Sequence, residues 1–77
     1  MSTNVRFDEI TLSRLEESVE SLLASGQTRT EPCEFWAYLA QFDVRKPFTL
    51  GMTLDQEWRA VRAGVAKARA NFDARKG

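Results

Sequence analysis

A chain of 77 residues with 43% apolar content forms one domain, near the size at which a lone hydrophobic core supplies only about 3–5 kcal/mol. Histidine is absent and Cys33 is the single cysteine, which excludes an intrachain disulfide and the common four-ligand zinc sites; no cofactor is expected. No apolar run approaches the ~18 residues of a membrane span and no secretory leader pattern opens the chain, so a cytoplasmic protein is expected.

The net charge of zero hides a division along the chain. Residues 1–43 carry eight acidic side chains against three basic ones, and residues 44–77 carry the reverse. Such a division suits an acidic helix lying on a basic one, within a chain or between two chains, or a basic face offered to an anionic partner.

Residues 1–7 read as a loose N-terminus, with at most a brief extended stretch over Val5 to Phe7. Leu12, Leu15, Val19 and Leu22 follow at spacings of 3, 4 and 3, with Leu23 widening the stripe, and predict an amphipathic helix over Asp8 to Ser25. Asp8 is its candidate N-cap, Ser13 with Glu16 a later capping box, and Gly26 its left-handed terminator. A second helix is predicted over Pro32 to Asp43, started by Thr28 with Glu31 or by Thr30 with Pro32. Phe35, Leu39 and Phe42 recur along it, Trp36 and Ala40 lie beside them, and Tyr38 falls nearer the edge.

Pro47 and Gly51 break the helical pattern over residues 43–53. Phe48, Leu50 and Met52 alternate there, which suits either a loop covering the core or a very short strand. The third helix, Leu54 to Asp73, opens on a capping box of Thr53 and Gln56, with Asp55 and Glu57 at the positive end of its dipole. Leu54, Trp58, Val61, Val65, Ala68 and Phe72 form its seam. Ala60, Gly64 and Ala68 make a small-residue stripe, and Gly64, which costs a helix interior about 1 kcal/mol relative to alanine, implies a close approach by another backbone.

The expected fold is therefore all-α: a small three-helix domain, possibly a helical homodimer, with the first and third helices antiparallel and the second crossing them. Catalysis finds few of its parts in this sequence. No histidine can act as a base, Cys33 lacks a visible base or orienting group and reads as a small buried hydrophobe, and Glu16 with Glu20 lack the histidines of di-metal carboxylate bundles.

Nucleic-acid binding could draw on Arg45, Lys46, Arg59, Arg62, Lys67 and Arg69, as a transcriptional regulator or antitoxin-like protein would, although the pI of 6.2 and the acidic half argue against it. The stretch Ser25 to Thr30 is similar to the middle of ribbon-helix-helix antitoxins, but Asp8 and Glu9 stand where those proteins carry a DNA-entering strand. The leading expectation is a non-enzymatic regulator, inhibitor or accessory protein of bacterial or phage type that docks on a larger protein, as a homodimer. Trp58, Arg59, Arg62 and Arg69 are its expected contact residues, with Glu16, Glu17 and Glu20 as an acidic counterpart.

Overall fold

The computed structural model describes residues 5–76, which form three helices: α1 Val5–Ser25, α2 Cys33–Ala40 and α3 Leu54–Lys76. Among the described residues there is no strand, and no helix is long and apolar enough to cross a membrane. The fold is the expected all-α three-helix domain.

Helix α1 begins earlier than its sequence suggests. Val5 to Phe7 are helical, so Asp8 sits in the first turn, where it faces the positive end of the dipole, and is not the cap. Nothing between Val5 and Asp8 breaks a helix, and the Thr11 hydroxyl donates back to the Phe7 carbonyl at 3.0 Å. Residues 1–4 of the expected loose segment lie outside the described residues. Ser13 and Glu16 do not cap a helix start either, being in mid-helix; both accept hydrogen bonds from Arg69. The far end closes as expected, with Gly26 at φ 73° and the Gln27 amide donating to the Leu22 carbonyl.

Helix α2 is shorter than predicted at both ends. Its N-cap is Pro32, whose carbonyl accepts from the Trp36 amide, and neither threonine-led cap forms. At the other end Asp43 takes the left-handed conformation at φ 63°, and the amides of Asp43 and Val44 donate to the carbonyls of Ala40 and Leu39. That pair of bonds is a Schellman closure, so Phe42 stays inward although the helix has already ended. At α3 the capping box is complete. The Gln56 amide donates to Thr53 Oγ1 at 3.1 Å, and the Thr53 amide to Gln56 Oε1 at 2.9 Å.

Ion pairs fix the sense of packing, because Glu16 meets Arg69 while Glu20 meets Arg62, so α1 and α3 run antiparallel. Leu12, Leu15 and Val19 of one seam and Trp58, Val61, Val65, Ala68 and Phe72 of the other are buried in a single core. Both heptad seams are therefore satisfied within one chain. Helix α2 and the turn after it pack on α3: Phe35 meets Trp58 edge-on with centroids 5.0 Å apart, and Phe42 meets Phe72 likewise at 6.3 Å. Each indole N–H has an acceptor, Trp58 donating to the Thr30 carbonyl at 2.7 Å and Trp36 to Glu57 Oε2 at 3.3 Å.

Gly64 is buried, and the groups that crowd it are side chains, not a second backbone. A Cβ there would stand 3.2 Å from Leu39 Cδ1, 3.3 Å from Val44 Cγ1 and 3.4 Å from Trp36 Cζ3. The small-residue stripe thus serves internal packing, and Gly64 and Ala68 are not available to a second copy. We expect Gly64→Leu to destabilise the chain by about 1–3 kcal/mol through overpacking, measured by urea denaturation. Gly64→Ala should fall within about 1 kcal/mol of the parent, since its gain in helix propensity opposes the small displacement of Leu39 and Val44.

Arg69 grips Glu16 with one edge of its guanidinium, Nε to Oε2 at 3.0 Å and Nη2 to Oε1 at 2.9 Å. These hydrogen bonds hold the Glu16 carboxyl below the usual carboxylate range, against a partial loss of solvation that pushes the other way. A carboxyl whose pKa is lower folded than unfolded stabilises the native state at pH values above its unfolded pKa, and that stabilisation fades as pH falls through the folded one. The pair is partly open to solvent, so screening limits it to the scale of exposed ion pairs. Glu16→Gln should therefore cost about 0.5–1 kcal/mol at neutral pH. The difference from the parent should shrink as pH drops below about 4, followed by thermal or urea unfolding across pH.

Candidate functional site

Residues 44–53, which join α2 to α3, form a strap held at both ends. Val44 is buried against Gly64 beside the Schellman closure, and Thr53 is locked into the capping box of α3. Between them Pro47 fixes its own φ and biases Lys46 toward extended backbone. The Met52 amide donates to the Thr49 carbonyl at 3.0 Å, closing a turn in which Gly51 at φ 91° occupies the position that type II geometry reserves for positive φ.

No strand forms in the strap, and beyond Val44 its large apolar side chains do not cover the core. Phe48 is 80% exposed and Leu50 82% exposed, and Met52 is also exposed. Leu39, Val44 and Trp36 take the places directly against Gly64 on α3, and the later apolar residues of the strap lie outside that contact. Exposed large apolar side chains on a tethered segment are the strongest sign of a contact surface in this structure. The sequence does contain the signal, an alternation of apolar residues beside Pro47 and Gly51, but periodicity cannot say which way a loop faces.

Next to the strap runs a groove of about 480 Å³ between residues 43–47 and α3. Trp36, Val44, Pro47, Ala60, Ala63 and Gly64 supply apolar lining, and Asp43, Arg45 and Lys67 supply charge. Neither Arg45 nor Lys67 has an ion-pair partner among the described residues.

The contact residues expected from sequence are distributed differently. Trp58 is 2% exposed with its N–H on Thr30, so its large ring belongs to the core and is removed from the candidate surface. The heptad position that made it a seam residue also turned it inward. Arg59 pairs with Asp55 at 3.1 Å, and Arg62 with Glu20 at 2.6 Å. With Leu23, Ala24, Ala63 and Ala66 they line a second, open groove of about 700 Å³ between α1 and α3. Arg69 and Glu16 form the partly buried pair described above, and Glu17 is exposed beside Arg6, Ile10 and Arg14. Two of the three acidic residues, Glu16 and Glu20, thus meet the basic helix of the same chain, and Glu17 does not.

Cys33 is exposed at the first position of α2, contrary to the expected burial, because Trp36 and Leu39 take the inward side of that short helix. Its nearest polar partner is the Glu31 carboxylate at 3.9 Å. Glu16 and Glu20 are each engaged by an arginine, and among the described residues no three cysteine, aspartate or glutamate side chains converge. Compared with protein-family models, curated proteins and solved structures, the chain matches none.

Proposed function

We propose that the chain is a non-enzymatic protein-binding module, a regulator or accessory protein that docks on a larger protein through the strap at residues 44–53. One observation carries this reading: Phe48 and Leu50 stand almost fully in solvent on a segment whose two ends are fixed. An aromatic and a branched aliphatic side chain held in place are suitable anchors, because their burial on a partner returns apolar area without the cost of ordering a floppy loop. Full burial of one such side chain is worth about 1.5–3 kcal/mol.

A nucleic-acid role draws less support. On the α1/α3 face the three arginines Arg59, Arg62 and Arg69 are each matched by a carboxylate, from Asp55, Glu20 and Glu16, and those carboxylates would face the same phosphates.

A benzophenone amino acid in place of Phe48 tests the reading in cells that carry the chain naturally, with one in place of Glu17 as control. Irradiation should give a discrete protein adduct from position 48 and none from position 17. An adduct only at twice the 8.8 kDa chain mass would replace the larger partner with a second copy, and no adduct from position 48 would remove the reading. The variant Phe48→Ser with Leu50→Ser should abolish the partner's capture while leaving stability within about 0.5 kcal/mol, because neither side chain is buried in the free chain.

A further inference from the structure

We infer that the groove between the strap and α3 receives an acidic segment of the partner, its carboxylates set beside Arg45 and Lys67 and an apolar side chain on the lining of Val44, Pro47 and Ala60. This rests on the protein-binding reading of the strap and adds the chemistry that the partner brings.

Charge left over from the pairs within the chain marks this groove. Along α3, Arg59, Arg62 and Arg69 are each consumed by a carboxylate of the same chain, and Arg75 donates to the Gln41 carbonyl and lies over the Phe42 ring. Lys67 is the cation of that helix between Leu54 and Arg75 that keeps no such partner among the described residues, and it stands on the rim of this groove. Arg45, on the facing rim, is likewise exposed and unpaired, and Lys46 follows it. Arg45, Lys46 and Lys67 therefore bring unpaired positive charge to the apolar groove and the exposed strap, while Arg6, Arg14 and Arg29 carry theirs on and beside α1. Complementary potential of this kind orients an incoming partner and selects its sign.

Asp43 stands on the same rim and opposes an acidic occupant, so the net charge of the lining is positive by one. Its position at the left-handed end of α2 makes asparagine a compatible replacement. A polypeptide suits the site better than a lipid surface, since the lining is recessed between two elements and Pro47 leads directly to the projecting Phe48, so that groove and strap require an occupant with both a ridge and a flank.

The full chain, immobilised through its N-terminus, is panned against a random peptide library displayed on phage, and enriched peptides are synthesised for affinity measurement. Enrichment of peptides with Asp and Glu around a large apolar residue is expected. Binding of such a peptide should fall about tenfold or more in the Arg45→Glu, Lys67→Glu double variant and rise about two- to fivefold in Asp43→Asn. It should be unchanged in a charge-matched control, Arg14→Glu with Arg29→Glu, all variants being verified folded by circular dichroism.

Enrichment of basic or uncharged peptides, absence of enrichment, or acidic peptides indifferent to the double variant would each overturn the inference. Sedimentation of the chain with phosphatidylserine vesicles, dependent on Phe48 and Leu50, would overturn it in favour of an anionic membrane. An adduct from position 48 without any preference for acidic peptides leaves the protein-binding reading standing and removes the groove, whereas loss of both removes both.

Discussion

At Gly64 three side chains from α2 and the strap come within 3.2, 3.3 and 3.4 Å of where a Cβ would be. A glycine in the middle of a long helix is locally unfavourable by about 1 kcal/mol, and what it makes possible is the seating of Leu39, Val44 and Trp36 directly on the α3 backbone. With α2 only eight residues long, that contact largely decides where its end falls. Asp43 takes the left-handed conformation at the turn that brings Val44 to this contact. Everything the strap displays follows from this placement.

The charge division along the chain resolves in the same structural terms. An acidic α1 and a basic α3 packed antiparallel neutralise each other through Glu16–Arg69 and Glu20–Arg62, pairs that span the helices at two levels. Partly exposed pairs of this sort add little to stability, but they disfavour parallel packing, which would separate these partners. They also clean the α1/α3 face of net charge. Beside the strap, Arg45 and Lys67 keep charge that no carboxylate of the chain pairs among the described residues.

Much of the fold was legible in the sequence because helix seams repeat. Leu12, Leu15 and Val19 on one side and Trp58, Val61, Val65 and Phe72 on the other are the residues found buried, and Gly26 and the Thr53–Gln56 box close and open their helices as their chemistry demands. Local patterns misled where tertiary partners took the side chains first. Ser13 and Glu16 have the spacing of a capping box, yet Arg69 binds both, and a sequence window of four residues contains no hint of a partner 53 positions away. Trp58 shows the same limit from the other direction, since residue type suggests an interface anchor while position on the seam requires a core residue. The strap was the least legible part: the order of Phe48, Leu50 and Met52 says that they alternate, and only the folded chain, with Val44 inward and these three exposed, says which way they face.

A small domain that leaves Phe48 and Leu50 outside forgoes burial that its modest core could use. Packing them inside would require the strap to fold back over α3, where Leu39 and Val44 already sit against Gly64. The alternative, a polar strap, would cost the isolated chain nothing, because neither side chain supports the core. Stability therefore does not explain the residue types at these positions, whereas the association proposed above would. Fixing a residue's backbone costs about 1–2 kcal/mol, and in this strap the Schellman closure, the Thr49–Met52 turn and the capping box meet much of that cost during folding. A partner would then meet apolar groups already in position, and the free energy of their burial would go largely into affinity.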